Sequence, residues 1–140
     1  MKIPKTTECI LDLKNNWLTI WFNRPEKRNS LSKILIREIS QTLDAIKDDP
    51  SIRGVIFRGK GNVFCAGADL KWMQSIASEK NRTHYKAMKM SMEFGKTFTK
   101  ISNSSKVTIS VVEGACMAGA VGIASATDFL VSTSDAKYAL

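Results

Sequence analysis

Apolar and polar positions along the chain alternate in short runs at some places and recur at helical spacing at others. Residues 8–13 and 16–23 read as two strands joined by a tight turn at Lys14-Asn15-Asn16. Trp17, Thr19 and Trp21 alternate with Leu18, Ile20 and Phe22, and both faces are largely apolar, which predicts a strand covered on each side. The polar, Pro-broken run 23–30 predicts a loop. Ser30 or Ser32 can cap the helix that follows, in which Leu35, Ile39, Leu43 and Ile46 recur at helical spacing. Asp48-Asp49-Pro50 stops it, with the acidic pair expected just beyond the last turn, away from the negative end of the helix dipole. Residues 54–57 form a strand. Residues 82–102 predict a helix with an apolar stripe of Tyr85, Met88, Met92 and Phe98, whose methionines read as core filling. Strands are expected at 107–112, at 129–131 and from Tyr138 onward. Two strands followed by alternating helix and strand predict α/β or α+β layering; no internal repeat, linker or low-complexity segment interrupts it.

The most informative stretch is V-I-F-R-G-K-G-N-V-F-C-A-G-A-D-L-K-W-M, residues 55–73. It starts as a strand, breaks at Gly59-Lys60-Gly61, turns again through Cys65-Ala66-Gly67-Ala68 and enters a helix at Asp69. Such a turn leaves backbone N–H groups without intrahelical partners at the positive end of a helix dipole, a natural place for an anionic oxygen. A second stretch, residues 114–122, has the same form: strand, Gly-containing bend, and a helix start of very small residues. Taken alone, it also fits close packing of a Gly/Ala helix on a sheet. Its glycines at 114, 119 and 122 do not give G-x-G-x-x-G, Ala120-Val121 stand where a P-loop needs Lys and Ser/Thr, and G-x-S-x-G is absent. Two backbone N–H groups from separate turns converging on one point would form an oxyanion hole for an enolate or a tetrahedral adduct. Loss of one such donor costs on the order of 3–4 kcal/mol of barrier. Small residues fit that role because a large side chain would occupy the ligand's space.

Composition narrows the class. The 140 residues, 44% hydrophobic and 24% charged, are globular in character and enough for a sizeable core. No run reaches the ~18–20 apolar residues of a membrane span, and the basic segment M-K-I-P-K-T-T-E is not followed by an apolar run, so neither membrane association nor a secretory signal is expected. Cys9, Cys65 and Cys116 are widely spaced and without C-x-x-C, which suits a reducing, cytoplasmic setting and speaks against zinc or a disulfide framework. The single histidine, His84, has no partner at ligand spacing and reads as a polar residue on a solvated helix face. Twenty-one Lys and Arg against thirteen Asp and Glu leave a formal charge of +8. This favours a polyanionic partner, but the basic residues are scattered and not interleaved with aromatics, against nucleic acid.

Three blocks together resemble the crotonase superfamily, the enoyl-CoA hydratases and isomerases. N-R-P-E-K-R-N-S-L-S at residues 23–32 resembles its first CoA-contacting loop, F-C-A-G-A-D-L-K at 64–71 its oxyanion and CoA-binding segment, and V-E-G-A-C-M-A-G-A at 112–120 its second oxyanion turn. The resemblance implies an α/β spiral of ββα units, usually assembled as trimers or hexamers, so a homo-oligomer is expected. It implies an acyl-CoA thioester as ligand, its carbonyl held by the N–H groups of Ala68 and Gly119. Ala66, Asp69, Leu70 and Lys71 would line the CoA channel, and Lys27 and Arg28 would approach the adenine and phosphate end. Coenzyme A would enter as part of the substrate, with no permanently bound cofactor; its phosphates give the positive charge an object. Within the superfamily, A-G-A-D-L-K-W-M and G-A-V-G-I-A-S are most similar to bacterial methylglutaconyl-CoA hydratases of leucine breakdown.

The chain also departs from that pattern. Hydratases of the family use two glutamates as acid and base; Gly122 stands at the first position, and the second would fall just past Leu140. Some relatives, the leucine-pathway type included, manage without the first. Ser105-Lys106 replace a proline often found before the strand at Val107. At about half the usual length, the chain is expected to be the N-terminal part of the core domain, without the helical region that closes the site and builds trimer contacts. Asp69 could be considered a base, but its expected role is to cap the helix it starts. A hydratase, poorly active or inactive in this length, is the leading expectation. The alternatives are a non-catalytic CoA-ester-binding or assembly remnant, and an isomerase or dehalogenase on the same scaffold.

Overall fold

A computed structural model describes residues 3–140; Met1 and Lys2, the start of the basic N-terminal segment, lie outside the described residues. A hairpin of β1 (Cys9–Lys14) and β2 (Trp17–Phe22) turns at Asn15 and Asn16, both with positive φ, which asparagine tolerates better than most residues. Helix α1 (Lys33–Ile46) follows, then β3 (Gly54–Gly59), α2 (Leu70–Ala77), α3 (Thr83–Ser102), β4 (Val107–Val112), β5 (Ala115–Met117), α4 (Gly119–Ala126), β6 (Phe129–Ser132) and β7 (Lys137–Ala139). The main sheet has the order β1-β2-β3-β4-β6, antiparallel at β1–β2 and parallel from β2 to β6, while β5 and β7 form a small parallel pair.

Leu18, Ile20 and Phe22 of β2 and Val55 and Phe57 of β3 are buried, and Leu35, Ile39 and Ile46 of α1 belong to the same core. The other face of β2 is less covered than expected: Trp17, Thr19 and Trp21 are only half-buried. There the Trp17 ring lies over Gly54, where a Cβ would come within 2.2 Å of it. Trp21 carries the Arg58 guanidinium at 4.6 Å and the Lys60 ammonium at 3.8 Å from its ring centre.

Helix ends follow the capping chemistry. Ser32, not Ser30, caps α1, its Oγ accepting from Leu35 N at 3.0 Å. The acidic pair lies beyond the last turn, where Asp49 Oδ1 accepts from Ser51 N. Inside α1, buried Glu38 anchors the entry to β1 by accepting from Thr7 N, Thr7 Oγ1, Glu8 N and Cys9 N at 2.6–2.9 Å.

Two further expectations need correction. The bend after β4 is not a direct strand-to-helix turn: the three residues of β5 intervene and pair with β7. On α3, Tyr85, Met88 and Met92 are about half exposed instead of filling the core, whereas Phe98 packs inward with Ile101. Met73 of α2 is exposed as well, as are Phe129, Leu130 and Val131 along β6. His84 is exposed in the first turn of α3, as expected.

Candidate active site

Three loops leave the carboxyl ends of the parallel neighbours β2, β3 and β4, the side of such a sheet where ligands bind. The first folds back through a short 3-10 turn, Pro25–Lys27, with Pro at its start, and through Arg28 and Asn29, both left-handed. Asn29 is buried. Its Oδ1 accepts from Arg24 N at 2.9 Å, and its Nδ2 donates to Lys60 O and Val63 O at 2.9 and 2.8 Å. One amide thus fixes the first loop to the second.

Backbone bonds then lace the three loops side by side. Ala66 N donates to Arg28 O, Leu31 N to Gly67 O at 2.7 Å, and Asp69 N to Leu31 O at 3.0 Å. On the other flank, Cys65 N donates to Ala115 O at 3.1 Å and Met117 N to Cys65 O at 3.0 Å. The two glycine turns are thereby brought into contact. Gly67 has φ +94, and a Cβ there would stand 3.0 Å from Ala118 Cβ and 3.1 Å from Met117 O. Ala118 itself has φ 49 and ψ −121, a conformation that L residues avoid, and it immediately precedes Gly119.

The N–H groups of Ala68 and Gly119 follow these two turns. Among the described residues neither donates to a backbone carbonyl, whereas Asp69 N donates to Leu31 O and Ala118 N to Ala139 O. Each stands at or next to a helix start: Gly119 is the first residue of α4, and Ala68 precedes Asp69, the cap of α2. The dipoles of α2 and α4 add positive potential there. A groove of about 390 Å³ opens alongside, lined by Lys27, Arg28, Ser30, Ala66, Ala68, Asp69, Leu70 and Lys71. It collects every residue expected to meet CoA, together with one of the two donors. Ser30, a possible cap by sequence and a member of the block that resembles the first CoA-contacting loop, lines the groove too. A larger groove, about 670 Å³, runs between α1 and α3 past Ile36, Met92 and Gly95 and contains none of them.

Asp69 is the one carboxylate lining the smaller groove, and its oxygens are engaged. Oδ1 accepts from Trp72 N at 2.9 Å; Oδ2 accepts from Arg24 Nη2 at 2.9 Å and Ser30 Oγ at 3.3 Å. Burial pushes its carboxyl up, but the Trp72 N–H, the Arg24 guanidinium and the Ser30 hydroxyl outweigh that and hold it below its ordinary value. A carboxylate so committed is a helix cap rather than a base. No carboxylate stands at Gly122 either: a Cβ there would meet the Phe98 ring at 2.5 Å. Phe98 continues a row of aromatic rings through Phe94 to Trp72, with centres 6.0 and 5.6 Å apart. A Cβ at Gly119 would lie 3.4 Å from Leu31 and 3.9 Å from Phe94. Cys65 and Cys116 pair where the turns are laced, but burial pushes their thiols up to about 12 and about 11, so they stay protonated at neutral pH. No group of three potential metal ligands occurs among the described residues.

Sequence reasoning named the basic residues that the structure gathers along one groove. It missed Leu31, which aims the Gly67–Ala68 peptide through backbone bonds that its side chain does not announce, and the aromatic row, whose members lie 22 and 26 residues apart from Trp72 on a different helix.

Comparison with known proteins agrees with this fold. A family model described as enoyl-CoA hydratase/isomerase matches residues 12–140. A putative enoyl-CoA hydratase of Thermus thermophilus is 32% identical over 127 residues, covering 89% of this chain and 48% of that protein. Mitochondrial Delta(3,5)-Delta(2,4)-dienoyl-CoA isomerase of Mus musculus is 32% identical, covering 86% and 38%. The crystal structure of an enoyl-CoA hydratase/isomerase from Marinobacter aquaeolei superposes with a TM-score of 0.88 at 36% identity, covering 94% of this chain and 50% of that one. The chain therefore spans about half the length of these relatives, or less, and follows their fold through that half. Fold, paired turns and family match lead to one conclusion: the chain belongs to the enoyl-CoA hydratase/isomerase family.

Proposed function

We propose that the protein is an acyl-CoA hydratase in which water adds to a 2-enoyl-CoA while the N–H groups of Ala68 and Gly119 stabilise the thioester enolate. The observation that carries this reading is the contact of the two turns, where a Cβ added at Gly67 would stand 3.0 Å from that of Ala118, each turn leading to an N–H that gives no backbone hydrogen bond, with Ala68 on a basic groove. Negative charge that grows on the thioester oxygen is met by donors already in position, so little reorganisation opposes it. Lys27, Arg28 and Lys71 supply cations for the phosphates of CoA, and Ala66 and Leu70 supply apolar surface along its arm. Coenzyme A enters with the substrate, and no resident cofactor is called for.

The proton chemistry needs a base and an acid that these residues do not supply, since Asp69 is committed to its cap and Gly122 to the Phe98 ring. The 140-residue chain is accordingly expected to bind CoA esters with little or no hydratase turnover. That is the second reading, a CoA-ester-binding unit, and those two commitments favour it. An isomerase would use the same donors, and the murine relative named a dienoyl-CoA isomerase matches as well as the hydratase does. Family assembly as trimers or hexamers makes a homo-oligomer the expected state, and the cysteine pattern fits the cytoplasm.

Calorimetric titration with crotonyl-CoA and with acetoacetyl-CoA, whose enolate mimics the intermediate, tests the reading beside a hydration assay. Binding of both, tighter for the enolate, is expected, with turnover near background. Absence of binding to either ester overturns the acyl-CoA reading; rapid hydration by this chain overturns its expected inactivity.

A further inference from the structure

The Arg24 guanidinium lies nearly out of solvent and outside the groove, yet it holds two of the residues that line it. Nη2 reaches Asp69 Oδ2 at 2.9 Å, Nη1 reaches Ser30 O at 2.5 Å and Ser30 Oγ at 3.2 Å, and Nε faces Glu8 Oε1 at 3.3 Å. Its side chain is 13% exposed and that of Asp69 10%. Charges so far removed from water stay together only when geometry and hydrogen bonding are good, and here the planar fork serves three directions at once. Lysine, with one ammonium centre, cannot reach all three.

We propose that Arg24 is a positioning residue for the Ala68 N–H, acting through Ser30–Leu31 and Asp69. The chain of cause runs through the backbone. Leu31 N holds Gly67 O, the carbonyl of the very peptide that carries the Ala68 N–H. A trans peptide is planar, so fixing its C=O on one side fixes its N–H on the other. Leu31 O in turn takes the N–H of Asp69, so this short parallel bridge grips the donor peptide from both ends. Arg24 clamps the bridge on each strand: Ser30 just before Leu31, and Asp69 just after Ala68. Glu8 braces the guanidinium from behind and also receives the Ser32 hydroxyl that caps α1. The starts of α1 and α2 thus share one buried cation. Without it the Gly67–Ala68 peptide is free to tilt, and a tilted donor still permits CoA to bind but no longer polarises its thioester.

The inference rests on the acyl-CoA reading, and the test separates the two. Dissociation constants for crotonyl-CoA and for CoA alone are measured on the wild-type chain and on Arg24→Lys and Glu8→Gln, together with the infrared stretch of the bound thioester carbonyl. In Arg24→Lys, crotonyl-CoA affinity is expected to fall about tenfold, the equivalent of one hydrogen bond, while CoA affinity changes less than about twofold. The carbonyl band should move back toward its position in free thioester, and Glu8→Gln, which loosens the guanidinium without removing it, should move it part of the way. Equal weakening of both ligands with an unmoved band marks Arg24 as merely structural and overturns the proposal, as does no change in either ligand. A wild-type chain that binds neither ligand overturns the acyl-CoA reading itself, and this inference with it.

Discussion

At Gly67 and Ala118 two backbones meet at a distance that leaves no room for a larger residue, and each position asks for a conformation that side chains disfavour. Gly67→Ala must adopt φ +94 and bring a methyl within 3.0 Å of Ala118. Urea denaturation should show a loss of about 1–2 kcal/mol, accompanied by weaker crotonyl-CoA binding. Ala118→Gly, which relieves the strain at φ 49, should not destabilise the chain. Asp69 supplies a pH test. Its carboxyl is held below its ordinary value in the fold, so the stability it contributes is complete above its unfolded pKa, about 4. That contribution disappears as the pH falls through the depressed folded value. Asp69→Asn should flatten this part of the acid limb, read as unfolding midpoint against pH.

Elements are where the sequence was most legible. Period and caps placed α1, the start of α2, β3 and β4 within a residue or two, because alternation and capping are local properties of the chain. Strand β5 was not legible: Ala115, Cys116 and Met117 have no period to display, and their strand character comes from β7 and Cys65 alongside. The stripe of α3 was legible as apolar but not as exposed, since a pattern shows that a face wants cover without showing what covers it. Of the candidate site, the two small-residue turns and the basic lining of the groove could be read from residue type and order. Leu31, Arg24 and the Phe98–Gly122 contact could not, because they act through pairings set only by the tertiary fold. Glu38 belongs to this scale too, since it joins α1 to the entry of β1 by four hydrogen bonds. Glu38→Ala leaves three backbone donors without their acceptor and should cost on the order of 3 kcal/mol. Glu38→Gln should also destabilise, because an amide NH2 would face N–H donors; thermal melts of both variants check this.

For the molecule as a whole, a charge of +8 and an uncovered edge act together. Binding of CoA esters should weaken steadily as salt rises, since Lys27, Arg28 and Lys71 are exposed and their attraction to phosphates is screened within about 8–10 Å. Titrations from low to physiological salt measure the slope; a salt-independent affinity would remove the phosphates from the account. Phe129, Leu130 and Val131 of β6 are 60%, 49% and 54% exposed on the last strand of the main sheet, an apolar edge open to further pairing. Sedimentation velocity should show the purified chain associating with concentration, and Val131→Lys should reduce that association.

The lacing of the three loops has one more consequence, visible in time rather than in distance. Leu31, Cys65, Ala66, Asp69 and Met117 each give their amide proton to a backbone carbonyl, whereas Ala68 and Gly119 keep theirs. In deuterated water the former set should exchange only when the lacing opens, and the latter pair should exchange from the intact fold. An exchange map of the empty protein should therefore show fast amides at Ala68 and Gly119, far apart in the sequence, inside a slow frame. A bound acyl-CoA thioester should slow those two amides together.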